Sequence, residues 1–93
     1  MINHTRIDGR LVHGQVLTGY VRQQGIDLIV VANDELANSP FEQKLMKMVK
    51  PPDVRIEMVS IQEAGQNFKD GLWENDSVLL LLKSPVDFAL VFF

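Results

Sequence analysis

Two short runs, Leu28-Ile29-Val30-Val31-Ala32 and Val78-Leu79-Leu80-Leu81-Leu82, contain no polar residue at all. A strand with one wet face alternates apolar and polar side chains. Continuous runs of this length suit strands of a parallel sheet that is covered on both faces. Parallel strands need crossover connections, usually helical, so these two runs point to an α/β fold.

The segments around them supply the helices and further strands. Ile2 to Ile7 reads as a first strand. Val16, Leu17, Tyr20 and Val21 recur at helical spacing opposite Thr18, Arg22 and Gln23, and Gly25 suits the end of that helix. Ser39-Pro40-Phe41-Glu42 combines a capping serine, a first-turn proline and a reciprocal Glu. The helix it starts carries Phe41, Leu45, Met48 and Val49 on one face and Lys44, Lys47 and Lys50 on the other, and Pro51-Pro52 ends it. Val54, Ile56 and Met58 alternate with Arg55 and Glu57, as in a strand with one wetter face. Ser60-Ile61-Gln62-Glu63 is a second capping box, with Ile61, Ala64 and Phe68 as the helical stripe and Gly71 as its close. Lys83-Ser84-Pro85 opens one more helix.

The expectation is a single domain, residues 1–93, with a parallel sheet of about four strands alternating with helices through right-handed crossovers. In such a sheet every strand-to-helix loop emerges at the carboxyl edge, where open α/β folds bind ligands. Those loops are Asp8 to Gln15, Asn33 to Ser39, the Ser60 turn, and Lys83 to Pro85. The last six residues, Phe88 to Phe93, are an apolar tail, expected either to pack within this chain or to belong to a longer protein.

Composition narrows the chemistry. Nine basic against twelve acidic residues give 9 − 12 = −3 with no basic block, which argues against nucleic acid as a partner. The absence of cysteine removes disulfides, a thiolate nucleophile and Cys-ligated zinc. No stretch approaches the ~20 apolar residues of a membrane span, and the N-terminus shows no secretory pattern, so a cytoplasmic protein is expected.

The first loop, Arg6-Ile7-Asp8-Gly9-Arg10-Leu11-Val12-His13-Gly14-Gln15, carries the candidate chemistry. It puts a histidine at a strand-to-helix junction, followed by glycine and a helical first turn. Free N–H groups and the helix dipole there attract a phosphoryl group, and Arg10 offers a forked charge-assisted contact. An imidazole with an ordinary pKa of about 6.5 is largely neutral near pH 7. His13 therefore attacks phosphorus without a separate base, and Asp8 is placed to orient its ring or hold Arg10.

Arg6 to Gln15 resembles the active-site loop of the IIB components of mannose/sorbose-type sugar phosphotransferase systems, whose pattern is approximately R-[IV]-D-x-R-L-[IV]-H-G-Q. The resemblance continues through Ile29 to Asp34, Pro51-Pro52 and Leu80 to Pro85, in order. It departs at Gly9, where the family often has an acidic residue, and in length. Family members run on through further strands and helices, so this chain resembles the N-terminal part of a longer fold and reads as C-terminally truncated.

The resemblance implies a phosphocarrier and a protein-N(pi)-phosphohistidine–sugar phosphotransferase. His13 would take the phosphoryl group from a IIA domain fed by HPr. It would then pass the group to a sugar entering through the membrane components IIC and IID. Phosphate-binding or supporting roles fall to Asp8, Arg10, Gly14, Gln15, Asn33, Asp34, Lys83 and Ser84. No metal or organic cofactor is implied, a homodimer is allowed for, and the protein would lie at the membrane only through its partners. The residues themselves leave two other readings open. One is a non-catalytic interaction fragment of the same fold. The other is a receiver-like domain phosphorylated on aspartate, since Asp8, Asp34 and Lys83 sit at strand ends. His4 in the first strand and Trp73 beside Gly71 and Leu72 are expected to serve structure.

Overall fold

The computed structural model describes residues 2–7 and 21–92. Four strands, β1 (Ile2–Ile7), β2 (Leu28–Ala32), β3 (Arg55–Val59) and β4 (Val78–Leu82), form one parallel sheet in the order β1-β4-β2-β3. The two wholly apolar runs are its central strands, and every residue of both is buried. Burying one such side chain contributes about 1.5–3 kcal/mol, so these ten positions make up much of the core.

The strand order decides where the helices go. The chain steps outward from β2 to β3, then turns back past β2 to reach β4. Right-handed crossovers in opposite directions place their helices on opposite faces. On one face lie α1 (Asp34–Ala37) and α2 (Pro40–Val49), with helical residues 21–24. There Ile29, Val31, Leu79 and Leu81 pack with Val21, Ile26, Leu36 and Val54, and with the half-buried Met46, Ile56 and Met58. On the other face lie α3 (Ile61–Lys69) and α4 (Pro85–Phe92). There Leu28, Val30, Val78, Leu80 and Leu82 meet Ala64, Trp73 and Val91, with Phe68, Phe88 and Phe92 around them. Phe88, Val91 and Phe92 of the apolar tail thus pack on this chain's own sheet while Ala89 and Leu90 are exposed, and Trp73 is core, as expected.

Helix ends follow local chemistry. Ser39 accepts from the Glu42 N–H at 3.3 Å, and Pro40 starts α2. Ser60 accepts from Glu63 at 3.0 Å while the Glu63 carboxylate accepts from the Ser60 N–H, completing the box. Gly25 and Gly71 both adopt positive φ at the helix ends where the sequence puts them.

Two features depart from, or go beyond, what the sequence predicts. The segment Asn33 to Ser39, read as a loop, contains α1, because the Asn33 side chain caps it by accepting from the Leu36 N–H at 2.9 Å. The second concerns α2. Its apolar stripe is turned away from the sheet, leaving Phe41 at 71%, Leu45 at 46% and Met48 at 72% exposure. Gln43 and Met46 face inward instead. The Gln43 amide donates to the carbonyls of Leu36 and Ala37, each at 2.9 Å, and this polar anchor sets the rotation of the helix.

Candidate functional site

All four strands point the same way, and their last residues are in register. Ile7 pairs with Leu82, Leu82 with Ala32, and Ala32 with Val59. The carboxyl edge is therefore a row from which four connections leave side by side. The candidate residues Asp8, Arg10, His13, Gly14 and Gln15 follow β1 in the chain and lie outside the described residues. Asn33, Asp34, Lys83 and Ser84 follow β2 and β4 and share the edge.

Three of these four have structural work at a helix end. Asn33 caps α1, and its own N–H donates to the Val59 carbonyl at 2.9 Å, tying β2 to the end of β3. Asp34 Oδ1 accepts the Ile61 N–H at 2.9 Å, so a carboxylate from the first turn of α1 sits at the N-terminus of α3. Negative charge is favourable there because it meets unpaired N–H groups and the positive end of the dipole. Ser84 Oγ accepts the Asp87 N–H at 3.3 Å and caps α4.

Among the described residues, the helix starts at this edge are thus already supplied with protein acceptors. An anion arriving there would compete with Asp34, Ser60 and Glu63 at α3. Lys83 differs. It is exposed, and no carboxylate pairs with it among the described residues, leaving an available positive charge at the strand end. The arrangement can attract a dianion through Lys83 while its helix caps hold the loops in place.

Among the described residues no group of His, Asp and Glu is spaced to hold a metal ion, and no helix is long and apolar enough to cross a membrane. A shallow recess lined by Phe68, Gly71, Trp73 and Glu74 lies beyond the end of α3, away from the carboxyl edge. The Asp34–Ile61 contact is a link that sequence reading missed. Its partners stand 27 residues apart, and nothing local signals it.

Comparison with known proteins decides the family. The model for the sorbose-subfamily IIB component of the phosphotransferase system matches residues 2–92. The chain belongs to that family. It is 38% identical over 84 residues to an N-acetylgalactosamine-specific phosphotransferase enzyme IIB component 2 of Escherichia coli K12, covering 90% of this chain and 53% of the relative. It is 31% identical over 87 residues to the mannose-specific EIIAB component of the same organism, covering 94% of this chain and 27% of that one. The crystal structure of the IIBSor domain of the sorbose permease from Klebsiella pneumoniae superposes with a TM-score of 0.89 at 27% identity, over 98% of this chain and 56% of that one. The chain thus spans about half the length of the first relative, 53%, and the parallel α/β architecture is the family's own.

Proposed function

We propose that this IIB-family chain is a phosphocarrier whose His13 accepts a phosphoryl group and passes it to a sugar. The observation that carries this reading is the family match over residues 2–92, a span that includes the Arg6–Gln15 segment with its His-Gly-Gln. The His13 imidazole nitrogen, Nδ1 in this reading, supplies the lone pair that forms the new N–P bond as the bond from phosphorus to the donor atom breaks. In the second transfer a sugar hydroxyl oxygen attacks phosphorus, the N–P bond breaks with its electron pair returning to the imidazole nitrogen, and the hydroxyl proton passes to solvent. Both are displacements with charge spread over the phosphoryl oxygens, so positioning and N–H or cationic donors supply the catalysis. Arg10, the N–H groups of Gly14 and Gln15, and Lys83 are the donors, with Asp8 orienting. Asn33, Asp34 and Ser84 support the edge from which the loops emerge.

The activity is then that of a protein-N(pi)-phosphohistidine–sugar phosphotransferase. A IIA domain fed by HPr is the donor, and IIC and IID membrane components present the sugar. One relative is a mannose-specific EIIAB component, whose name joins a IIA and a IIB in one protein, which supports a IIA partner. A cytoplasmic location beside the membrane follows from that partnership. Relatives are named for N-acetylgalactosamine and for mannose, which supports a hexose or an amino sugar as the substrate.

The test is phosphoryl transfer from radiolabelled phosphoenolpyruvate, with enzyme I, HPr and IIA, onto the parent and His13→Ala. Label that is base-stable, acid-labile and absent from the variant is expected. Base-labile label would indicate an acyl phosphate and favour the receiver-like reading. An unlabelled but cooperatively folded parent would end the carrier reading.

A further inference from the structure

The outward stripe of α2 is a feature that the carrier chemistry does not use. Phe41, Leu45 and Met48 recur at i, i+4 and i+7 on the side of the helix away from the sheet. Scattered exposed apolar residues are ordinary, but a stripe running the length of one helix marks a contact surface. Lys44 and Lys47 line one margin of it, both exposed, and neither is in an ion pair among the described residues. Three of the chain's five lysines, Lys44, Lys47 and Lys50, lie on or just after this helix, although the chain's net charge is −3. The local field is basic where the molecule as a whole is acidic.

We infer that the α2 stripe is a docking surface for the protein that delivers the phosphoryl group, which presents an apolar groove edged by carboxylates. This rests on the carrier reading for the partner's role. Two observations select this occupant. Charge is the first: a lysine margin steers and registers an acidic rim, and such steering matters most in short-lived complexes with small interfaces. Continuity is the second. The Gln43 amide ties the first turns of α2 to α1, which starts at the carboxyl edge, so the Phe41 end of the stripe adjoins the edge where transfer takes place.

Two other occupants fit less well. An antiparallel two-fold pairing of α2 with a second copy keeps the lysine margins on the same side, Lys44 and Lys47 against their copies. An anionic membrane would attract the lysines, but three apolar side chains are few for stable interfacial anchoring, and the chain's overall negative charge opposes it.

The test titrates purified, unphosphorylated IIA domain into the chain by calorimetry at low and high salt, so that it needs no phosphoryl transfer. The variants are Phe41→Ser/Leu45→Ser/Met48→Ser and Lys44→Glu/Lys47→Glu. Because the altered side chains are exposed, both variants should melt as the parent does. The expected result is a tenfold or greater rise in Kd for each variant, with the salt dependence reduced in the lysine variant. Parent-like binding by the serine variant, or no binding by the parent, overturns the proposal. So does a serine-sensitive dimer in sedimentation, or serine-sensitive flotation with phosphatidylglycerol vesicles, when binding to the IIA domain is unchanged. Phosphoramidate, a small donor that needs no docking, separates the two readings. If it labels His13 in parent and serine variant alike, the carrier chemistry stands whatever the titration shows. If IIA binds the stripe but His13 is never labelled, only the carrier reading falls.

Discussion

The Asp34 carboxylate accepts the backbone N–H of Ile61 at 2.9 Å, joining the connection after β2 to the first residue of α3. That bond crosses from the helices of one sheet face to those of the other, over the end of the sheet. It fills an N-terminal donor that would otherwise be served by water or by a ligand.

Replacing Asp34 separates its charge from its acceptor. Asp34→Asn keeps an oxygen at the Ile61 N–H and loses only the charge–dipole attraction, a cost of about 0.3–1 kcal/mol. Asp34→Ala loses the hydrogen bond as well, about 0.5–1.5 kcal/mol more. Thermal melts of the three proteins should therefore rank parent above Asn above Ala. Equal melting of Ala and parent would show that the contact contributes nothing to folding.

The close approach of α3 and α4 depends on a missing side chain. Gly65 lies mid-helix in α3, and a Cβ there would stand 2.8 Å from the carbonyl oxygen of Val91. Glycine in a helix interior costs about 1 kcal/mol relative to alanine, so propensity alone favours Gly65→Ala. The contact is with backbone, which cannot swing aside, and overpacking of that kind costs about 1–3 kcal/mol. The net expectation is destabilisation, with Tm lower by roughly 4–8 °C per kcal/mol lost. A higher Tm for Gly65→Ala would mean that α4 shifts freely on α3.

Much of this architecture was legible in the sequence because its determinants are local. The apolar runs at Leu28 and Val78 need no context to be read as buried strands. Ser39 and Ser60 announce helices because a cap acts only three residues away. The Asn33 cap was the same kind of signal, but α1 is four residues long and carries too short a pattern to stand out from a loop. What failed was global. Amphipathicity separated Phe41, Leu45 and Met48 from Lys44 and Lys47, yet could not say which side meets the sheet. That was decided by Gln43 reaching back to the carbonyls of Leu36 and Ala37. The insertion of β4 between β1 and β2 likewise depends on pairing choices that no single segment encodes. For the site, the sequence named the residues by resemblance. Ser84 as the cap before Pro85 was legible too, but the reach of Asp34 to the Ile61 N–H, 27 residues away, was not.

Trp73 offers a third test, within the core. It is buried between Phe68, at 4.7 Å edge-on, and the sheet, and its Nε1–H donates to the Glu57 carboxylate at 2.8 Å. Trp73→Phe keeps an aromatic ring but withdraws that donor from a half-buried carboxylate and leaves space behind it. The expected loss is about 1–3 kcal/mol by denaturant titration. Glu57→Gln preserves an acceptor and should fall within about 1 kcal/mol of the parent. If the glutamine variant were the less stable of the two, the charge at Glu57 rather than its acceptor geometry would hold the indole.

Lys83 and Ser84 are neighbours with different expected roles, and paired measurements of stability and transfer tell them apart. Ser84→Ala removes the acceptor for the Asp87 N–H and should cost about 1 kcal/mol, lowering Tm while leaving phosphoryl transfer at low temperature near the parent's rate. Lys83→Met keeps most of the aliphatic stem and removes the charge. Its Tm should not move, because the ammonium group is exposed and unpaired with any carboxylate among the described residues. Transfer to His13 should slow on the order of tenfold, equivalent to about 1.4 kcal/mol less stabilisation of the phosphoryl oxygens. Lys83→Arg should restore most of the rate, since an exposed strand end has room for the larger cation. A Lys83→Met protein that transfers at the parent's rate would remove Lys83 from the phosphate site and leave the charge stabilisation to Arg10 and the loop N–H groups.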